Sequence, residues 1–258
     1  MIDTHCHLDV PRFDPDREAV LAGAWAAGLE GLLIPAIGPE AWEPLLAWPG
    51  RDARVQVALG IHPQLLPELP EADDQRHLQA LDGLLGRGLA AAVGECGLDG
   101  PSAAGASLDR QERVLRGHLE LARAHRLPVL VHCFKAHPAL QRILEDDWGV
   151  PLLLHSYSGS AELVPRYARR GCHFSFAGPV SFLEARRPVE AARAVPAELL
   201  HAETDAPDQA PHPHRGARSE PAYLPRVVEA LAGARGVPVE ALAGVLGANA
   251  RRLFGRWG

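Results

Sequence analysis

Short apolar runs alternate along the chain with longer segments of helical period. Residues 2–5 read as strand one. A helix over 16–28 follows, with Ala19, Val20, Gly23 and Ala27 on one side. Strand two is 31–35, a short helix lies around 40–48, and strand three is 55–60. The segment 73–86 is helical, with Leu78, Leu81, Leu84 and Leu85 at helical spacing. Strand four is 89–95, and 100–107, rich in Gly, Ser and Ala, reads as a loop. The clearest helix spans 108–125, with Leu115, Leu119 and Ala122 inward. Strand five is 128–131, a helix covers 138–147, and strand six is 150–154. Helix 161–170, strand seven at 172–176, a short helix at 187–194 and strand eight at 199–203 come next. Two helices, 222–234 and 239–254, close the chain.

Eight β–α alternations predict a single TIM-type (β/α)8 barrel over 1–258, an architecture that typically takes about 250 residues. A flavodoxin-like open sheet is the alternative, and it would need fewer strands. The apolar content of 47% supports a large core, and the 23 Pro and 25 Gly are spread along the chain as short connections would require. No apolar run approaches the roughly 20 residues of a membrane span, so no membrane partner is expected.

Candidate chemistry gathers at the predicted strand ends. His5 and His7 share one face of an extended chain at strand one. Thirteen histidines in this length give about 0.65 His-x-His pairs by chance, so the spacing needs support from elsewhere. His212-Pro213-His214 shows the weakness of the bare pattern, because its proline and flanks read as loop. Support for His5 and His7 comes downstream. His62 follows strand three, Glu95 ends strand four, His132 ends strand five, His155 ends strand six and Asp205 ends strand eight. In a barrel these ends meet on the C-terminal face, where the sites of this architecture lie. Six nitrogen and oxygen ligands (His5, His7, Glu95, His132, His155, Asp205) suit two divalent ions, with Mg, Mn and Zn all open.

A net charge of −6 gives no global basic field for holding nucleic acid, and Lys135 is the only lysine. Four cysteines without CxxC spacing suit reduced, buried thiols, from which a cytoplasmic location is expected.

Asp3-Thr4-His5-Cys6-His7-Leu8-Asp9, Gly60-Ile61-His62-Pro63, Gly94-Glu95-Cys96-Gly97-Leu98-Asp99, His155-Ser156-Tyr157-Ser158-Gly159 and Glu203-Thr204-Asp205-Ala206-Pro207 together resemble the TatD family. These are metal-dependent, deoxyribonuclease-like hydrolases of the amidohydrolase superfamily, and the resemblance runs to the closing Asn249-Ala250-Arg251-Arg252-Leu253-Phe254. It implies one metal held by His5, His7 and Asp205, a second held by His132 and His155, and Glu95 bridging them. A phosphotriesterase-like relative would bridge with a carboxylated lysine, for which strand four offers none. The implied activity is 3′–5′ exonuclease-type hydrolysis of DNA ends by a metal-activated water, with Asp205 as general base. His62 is expected to contact substrate phosphate or donate a proton, or else to anchor its loop. Glu203 is expected either to orient a ligand histidine or to be a plain structural acid. Tyr157 and Arg215 are further candidates for substrate contact.

Two departures bear on substrate. Ser219 replaces the family's usual asparagine, and Phe134 stands where an arginine is common, with Lys135 next to it. The rival readings are a hydrolase acting on a small ester, amide or phosphate, and a non-catalytic interaction barrel. The sequence leaves the oligomeric state open, a monomer being compatible.

Overall fold

Every strand pairs in parallel with the next one in the chain, which gives one eight-stranded sheet in the order β1 to β8. The strands are β1 Ile2–Asp3, β2 Gly31–Pro35, β3 Val55–Leu59, β4 Ala92–Asp99, β5 Val129–Phe134, β6 Leu152–Leu154, β7 Cys172–Phe176 and β8 Leu200–Ala202. Between and after them run α1 Arg17–Ala26, α2 Pro39–Leu46, α3 Trp48–Arg51, α4 Asp74–Leu85 and α5 Leu108–His125. The remaining helices are α6 His137–Ile143, α7 Val164–Ala168, α8 Arg186–Ala194, α9 Leu224–Arg235 and α10 Val239–Phe254. The structure, a computed structural model, describes residues 1–257. It is a TIM-type (β/α)8 barrel, as the alternation predicts. Among the described residues no single helix is long and apolar enough to cross a membrane.

Closure of the barrel rests on a seam between the ends of β1 and β8. Thr4 N–H donates to the Ala202 carbonyl (3.3 Å) and Asp205 N–H to the His5 carbonyl (2.9 Å). The buried Asp3 carboxylate accepts the Thr204 N–H (3.0 Å) and hydroxyl (2.6 Å), together with the His5 N–H (3.2 Å). One buried acid thus ties the segment carrying His5 and His7 to the segment carrying Asp205.

Alternation along each strand divides its side chains between two cores. Val57, Val129, Val131 and Phe174 face the helices, whereas Ile2, Leu33, Ala58, Ala92, Leu130 and Leu153 fill the barrel's lower interior. Ala250, Leu253 and Phe254 of α10 join this inner cluster, so the last helix plugs the barrel floor. The open end is therefore the C-terminal one.

Several boundaries depart from the expected ones, each for a local reason. Strand six begins at Leu152, after Pro151, whose missing N–H cannot enter the ladder. The helix expected over 40–48 divides into α2 and α3, each with a proline in its opening positions. Pro165 likewise opens α7, after a short 3-10 turn at Ala161–Leu163. In α1 the buried face is Val20 and Ala24, and Ala19 is exposed. The loop 100–107 contains a 3-10 turn, Pro101–Ala104, and ends in Ser107, whose side chain caps α5 by accepting the Arg110 N–H (3.2 Å).

Strand four differs most. Glu95 was expected at its end, but the strand continues to Asp99. Val93 pairs with Val129 and Cys96 with Val131, so three steps on β4 match two on β5. This is a β-bulge, and it lets both Val93 and Cys96 face the helices while Glu95 turns inward. Gly94 makes the bulge feasible. Its φ is +130°, and a Cβ there would lie 2.6 Å from the Leu130 carbonyl oxygen.

Candidate metal centre

Glu95 is buried at the middle of the barrel mouth and meets five imidazoles. Its Oε2 lies 3.1 Å from His5 Nε2 and 3.3 Å from His7 Nε2. Its Oε1 lies 2.7 Å from His155 Nε2, 3.1 Å from His132 Nδ1 and 3.1 Å from His62 Nε2. Asp205 Oδ1 approaches the first group, 3.7 Å from His5 and 4.0 Å from His7. One carboxylate therefore turns a different oxygen to each of two donor groups.

Hydrogen bonds on the far side of His132 and His7 fix which nitrogen points inward. His132 Nε2 lies 3.1 Å from the Asp99 carboxylate, which only accepts, so Nε2 carries the proton and Nδ1 presents a lone pair. That lone pair faces His155 Nε2 and Glu95 Oε1, each at 3.1 Å. His7 Nδ1 donates to the Pro35 carbonyl (3.2 Å), leaving Nε2 to face His5 Nε2 at 3.1 Å. His155 Nδ1 sits 3.4 Å from Glu203 Oε1, which also accepts the Ser156 N–H (2.5 Å). Lone pairs converging on a carboxylate at these distances repel unless positive charge lies among them. The donor set fits cations.

The titration of His7 and His155 points the same way, whereas at His5 and His62 burial prevails and holds both rings down. Burial alone would raise the Glu95 pKa, but the surrounding imidazoles hold it well below the ordinary carboxylate range. Burial disfavours a charged His7, yet Glu95 and Asp205 outweigh it and push the ring up to about 9. His155 is raised in the same way by Glu95 and Glu203 against its burial. Without metal His7 and His155 thus collect protons where bound cations would supply the charge.

His62 is oriented differently. Its Nδ1 accepts the Gln64 N–H (3.1 Å), so a neutral ring carries its proton on Nε2, facing Glu95 Oε1. Donor atoms of His62, Glu95 and His132 still lie close enough to share an ion, as do those of His5, His7 and Asp205, and of His5, His155 and Glu203.

A cavity of about 1110 Å³ opens above the cluster. His7, His62, Glu95, His132, His155 and Asp205 lie at its base, and Phe134, Tyr157, Leu65, Pro179 and Pro207 are in its walls. The Tyr157 hydroxyl is engaged with the Ser160 carbonyl (3.0 Å). The structure does not bring Arg215 into this group. Its guanidinium lies over the Phe182 ring, 4.4 Å from the centroid. Lys135 is exposed, with Nζ 5.1 Å from the centre of Phe134. His212 and His214 lie in the loop after β8, as their proline and flanks suggest, and the His214 ring stacks on Tyr223. Ser219 is buried and donates to the Thr204 carbonyl (3.3 Å).

Three supporting residues had no role assigned from sequence. Asp99, quoted there only as part of a motif, accepts from His132 and from Gln64 Nε2 (2.7 Å). The fully buried Gln111 of α5 clamps the Asp99 main chain, accepting its N–H (2.8 Å) and donating to its carbonyl (3.2 Å). Seven positions on, the same face of α5 presents His118. Its Nδ1 donates to the Val114 carbonyl (2.7 Å) and its Nε2 accepts the N–H of Ile61, beside His62 (3.1 Å). For Gln111 and His118 the signal was polar residues at helical spacing on the buried face of the clearest helix.

Burial holds the His118 pKa down to about 4 against an ordinary 6.5. An unfolded chain protonates this ring first, so its stabilising contribution is complete above pH 6.5 and fades as the pH falls towards 4. Between pH 7 and 5 the metal-free protein is expected to lose about 2 kcal/mol through this group. Urea unfolding at both pH values should therefore show a smaller acid loss in His118→Gln than in the wild type. Equal losses would mean that the ring is not held neutral.

Comparison with known proteins adds to this geometry. The family described as TatD related DNase matches residues 2–255. The chain is 30% identical to the uncharacterized metal-dependent hydrolase YabD of Bacillus subtilis, over 98% of both chains. It is 32% identical to the 3′-5′ ssDNA/RNA exonuclease TatD of Salmonella typhimurium, again over 98% of both. The crystal structure of YjjV, a TatD homolog from Escherichia coli, superimposes with a TM-score of 0.90 at 30% identity, covering 99% of this chain and 98% of that one.

Proposed function

The chain belongs to the TatD related DNase family of metal-dependent hydrolases, and from that premise we propose that it cleaves phosphodiester bonds at the ends of single-stranded DNA. The observation that carries the reading is the division of Glu95, with Oε2 towards His5 and His7 and Oε1 towards His132 and His155. In this reading His5, His7 and Asp205 hold one divalent ion, His132 and His155 hold a second, and Glu95 serves both. Such ions supply Lewis acidity, for activating water and for neutralising charge on the phosphoryl oxygens.

The protein's own groups do the rest. Asp99 and Glu203 keep His132 and His155 turned inward from behind. Asp205, anchored by Gln209, accepts the proton released by the attacking water. His62 offers its Nε2 proton to a phosphoryl or leaving oxygen. The test is metal analysis of the purified protein beside turnover of labelled single-stranded DNA. A panel of small ester, amide and phosphate substrates should be run in parallel. The alternative of a small substrate draws on the apolar walls and on Phe134 in place of a phosphate-gripping arginine. Turnover of that panel alone would establish it.

Phe134 and Lys135 give a finer prediction. An exposed ring that stacks on a base contributes about 1–3 kcal/mol, so Phe134→Ala should weaken single-stranded DNA binding by that amount. Lys135→Ala should weaken binding and also flatten its dependence on salt. Titrations of both variants across a salt series check this, and no change in either counts against the nuclease reading.

A further inference from the structure

Charges around the mouth of the cavity are unevenly placed. On the side of the β1 and β3 loops, Arg12 is bound to Asp208 (2.9 Å), and Glu68 adds an exposed acid. On the side of the β5 and β7 loops and the later part of the β8 loop, two cations have no carboxylate partner among the described residues and a third pairs only loosely with one. Among the described residues Lys135 and the exposed Arg187 form no ion pair, and Lys135 sits over Phe134. Arg187 precedes Pro188, which lines the cavity. Arg215 covers Phe182, its nearest carboxylate being the exposed Glu184 at 3.8 Å. Phe182 lies between the cavity-lining Pro179 and Pro188, and its neighbour Leu183 is 87% exposed.

Aromatic rings interleaved with cations are the surface that binds single-stranded nucleic acid without reading its sequence. In a chain of net charge −6 such cations must act locally, because the protein's overall field repels a polyanion. We propose that this rim, formed by Phe134 with Lys135, Arg187, and Phe182 with Arg215, carries the single strand beyond the scissile bond. The strand's bases stack on the two rings and its phosphates meet the three cations. The opposite rim, with its acid and its neutralised arginine, is left clear. This rests on the nuclease reading above and adds a direction to it.

The test uses the metal-loaded protein with Phe182→Ala and Arg187→Ser, neither of which touches the metal centre. Substrates are a twelve-nucleotide single strand, a dinucleotide and bis(p-nitrophenyl) phosphate. Phe182→Ala should lower kcat/KM on the long strand by roughly five- to a hundredfold, with the two small substrates unchanged. Arg187→Ser should reduce the slope of log affinity against log salt by about 0.7 for the long strand, one cation's share. If each variant treats long and short substrates alike, the track is overturned while the nuclease reading stands. Should the wild type cleave the small phosphate and neither oligonucleotide, the nuclease reading falls and the track falls with it.

Discussion

Replacing Glu95 with alanine is expected to abolish turnover and to strip the protein of most of its bound metal. A single lost electrostatic group typically costs about 10²–10³ in rate. Glu95 faces both donor groups at once, so its loss should lie at or beyond the upper end. Glu95→Gln is the sharper variant, because it keeps the shape and removes only the charge that gathers the cations. A readout independent of activity is available. A ligand present at 100 times its Kd adds about 2.7 kcal/mol to the folded state, worth roughly 5–10 °C in a chain of this size. The wild type should therefore lose several degrees of Tm when a chelator is added, whereas Glu95→Gln should barely respond. Full metal content and full turnover in Glu95→Ala would remove this residue from the centre of the site.

The grouping of the candidate residues was legible in the sequence because of a property of the barrel itself. Parallel strands all end on one face, so residues far apart in the chain need only occupy corresponding strand ends to meet. His5, His155 and Asp205 follow such ends, His132 lies two residues short of the end of β5, and the structure brings His5, His132 and His155 within hydrogen-bonding reach of Glu95, with Asp205 3.7 Å from His5. Glu95 was found for a slightly wrong reason. It is not a strand end but the inward residue of a bulge, and alternation cannot reveal a bulge before the partner strand is known. Asp99 escaped because its role depends on the far side of the His132 ring, which spacing does not report. The identity of a ring's inward nitrogen is a tertiary fact.

Helix ends were less legible than helix existence, again for particular reasons. Prolines at 39, 49, 151 and 165 set where elements begin, because a residue without an N–H is tolerated at a helix start and not within a ladder. The loop residue Arg215 could not be placed from sequence at all. Its partner Phe182 lies in a different loop, and the pair forms only once β7 and β8 are side by side.

His62→Ala is expected to keep its metal and lose about 10²–10⁴ in kcat, the range for a missing proton donor. The expectation rests on which nitrogen is free. A ligand must present a lone pair, as His132 does through Nδ1 because Asp99, accepting the Nε2–H, keeps the proton on Nε2. His62 is the reverse case. Its Nδ1 lone pair is already used by the Gln64 N–H, and what it offers the centre is an N–H at Nε2. Its closeness to Glu95 and His132 would otherwise suit a ligand, so the two roles need separating by measurement. Metal stoichiometry and turnover should be determined on the same preparation. Unchanged stoichiometry with lost turnover fits the donor role, and His62→Gln, which retains an N–H of similar reach, should recover part of the rate. A stoichiometry halved by the alanine change would make His62 a ligand, and the tautomer read from the Gln64 contact would then be the wrong one.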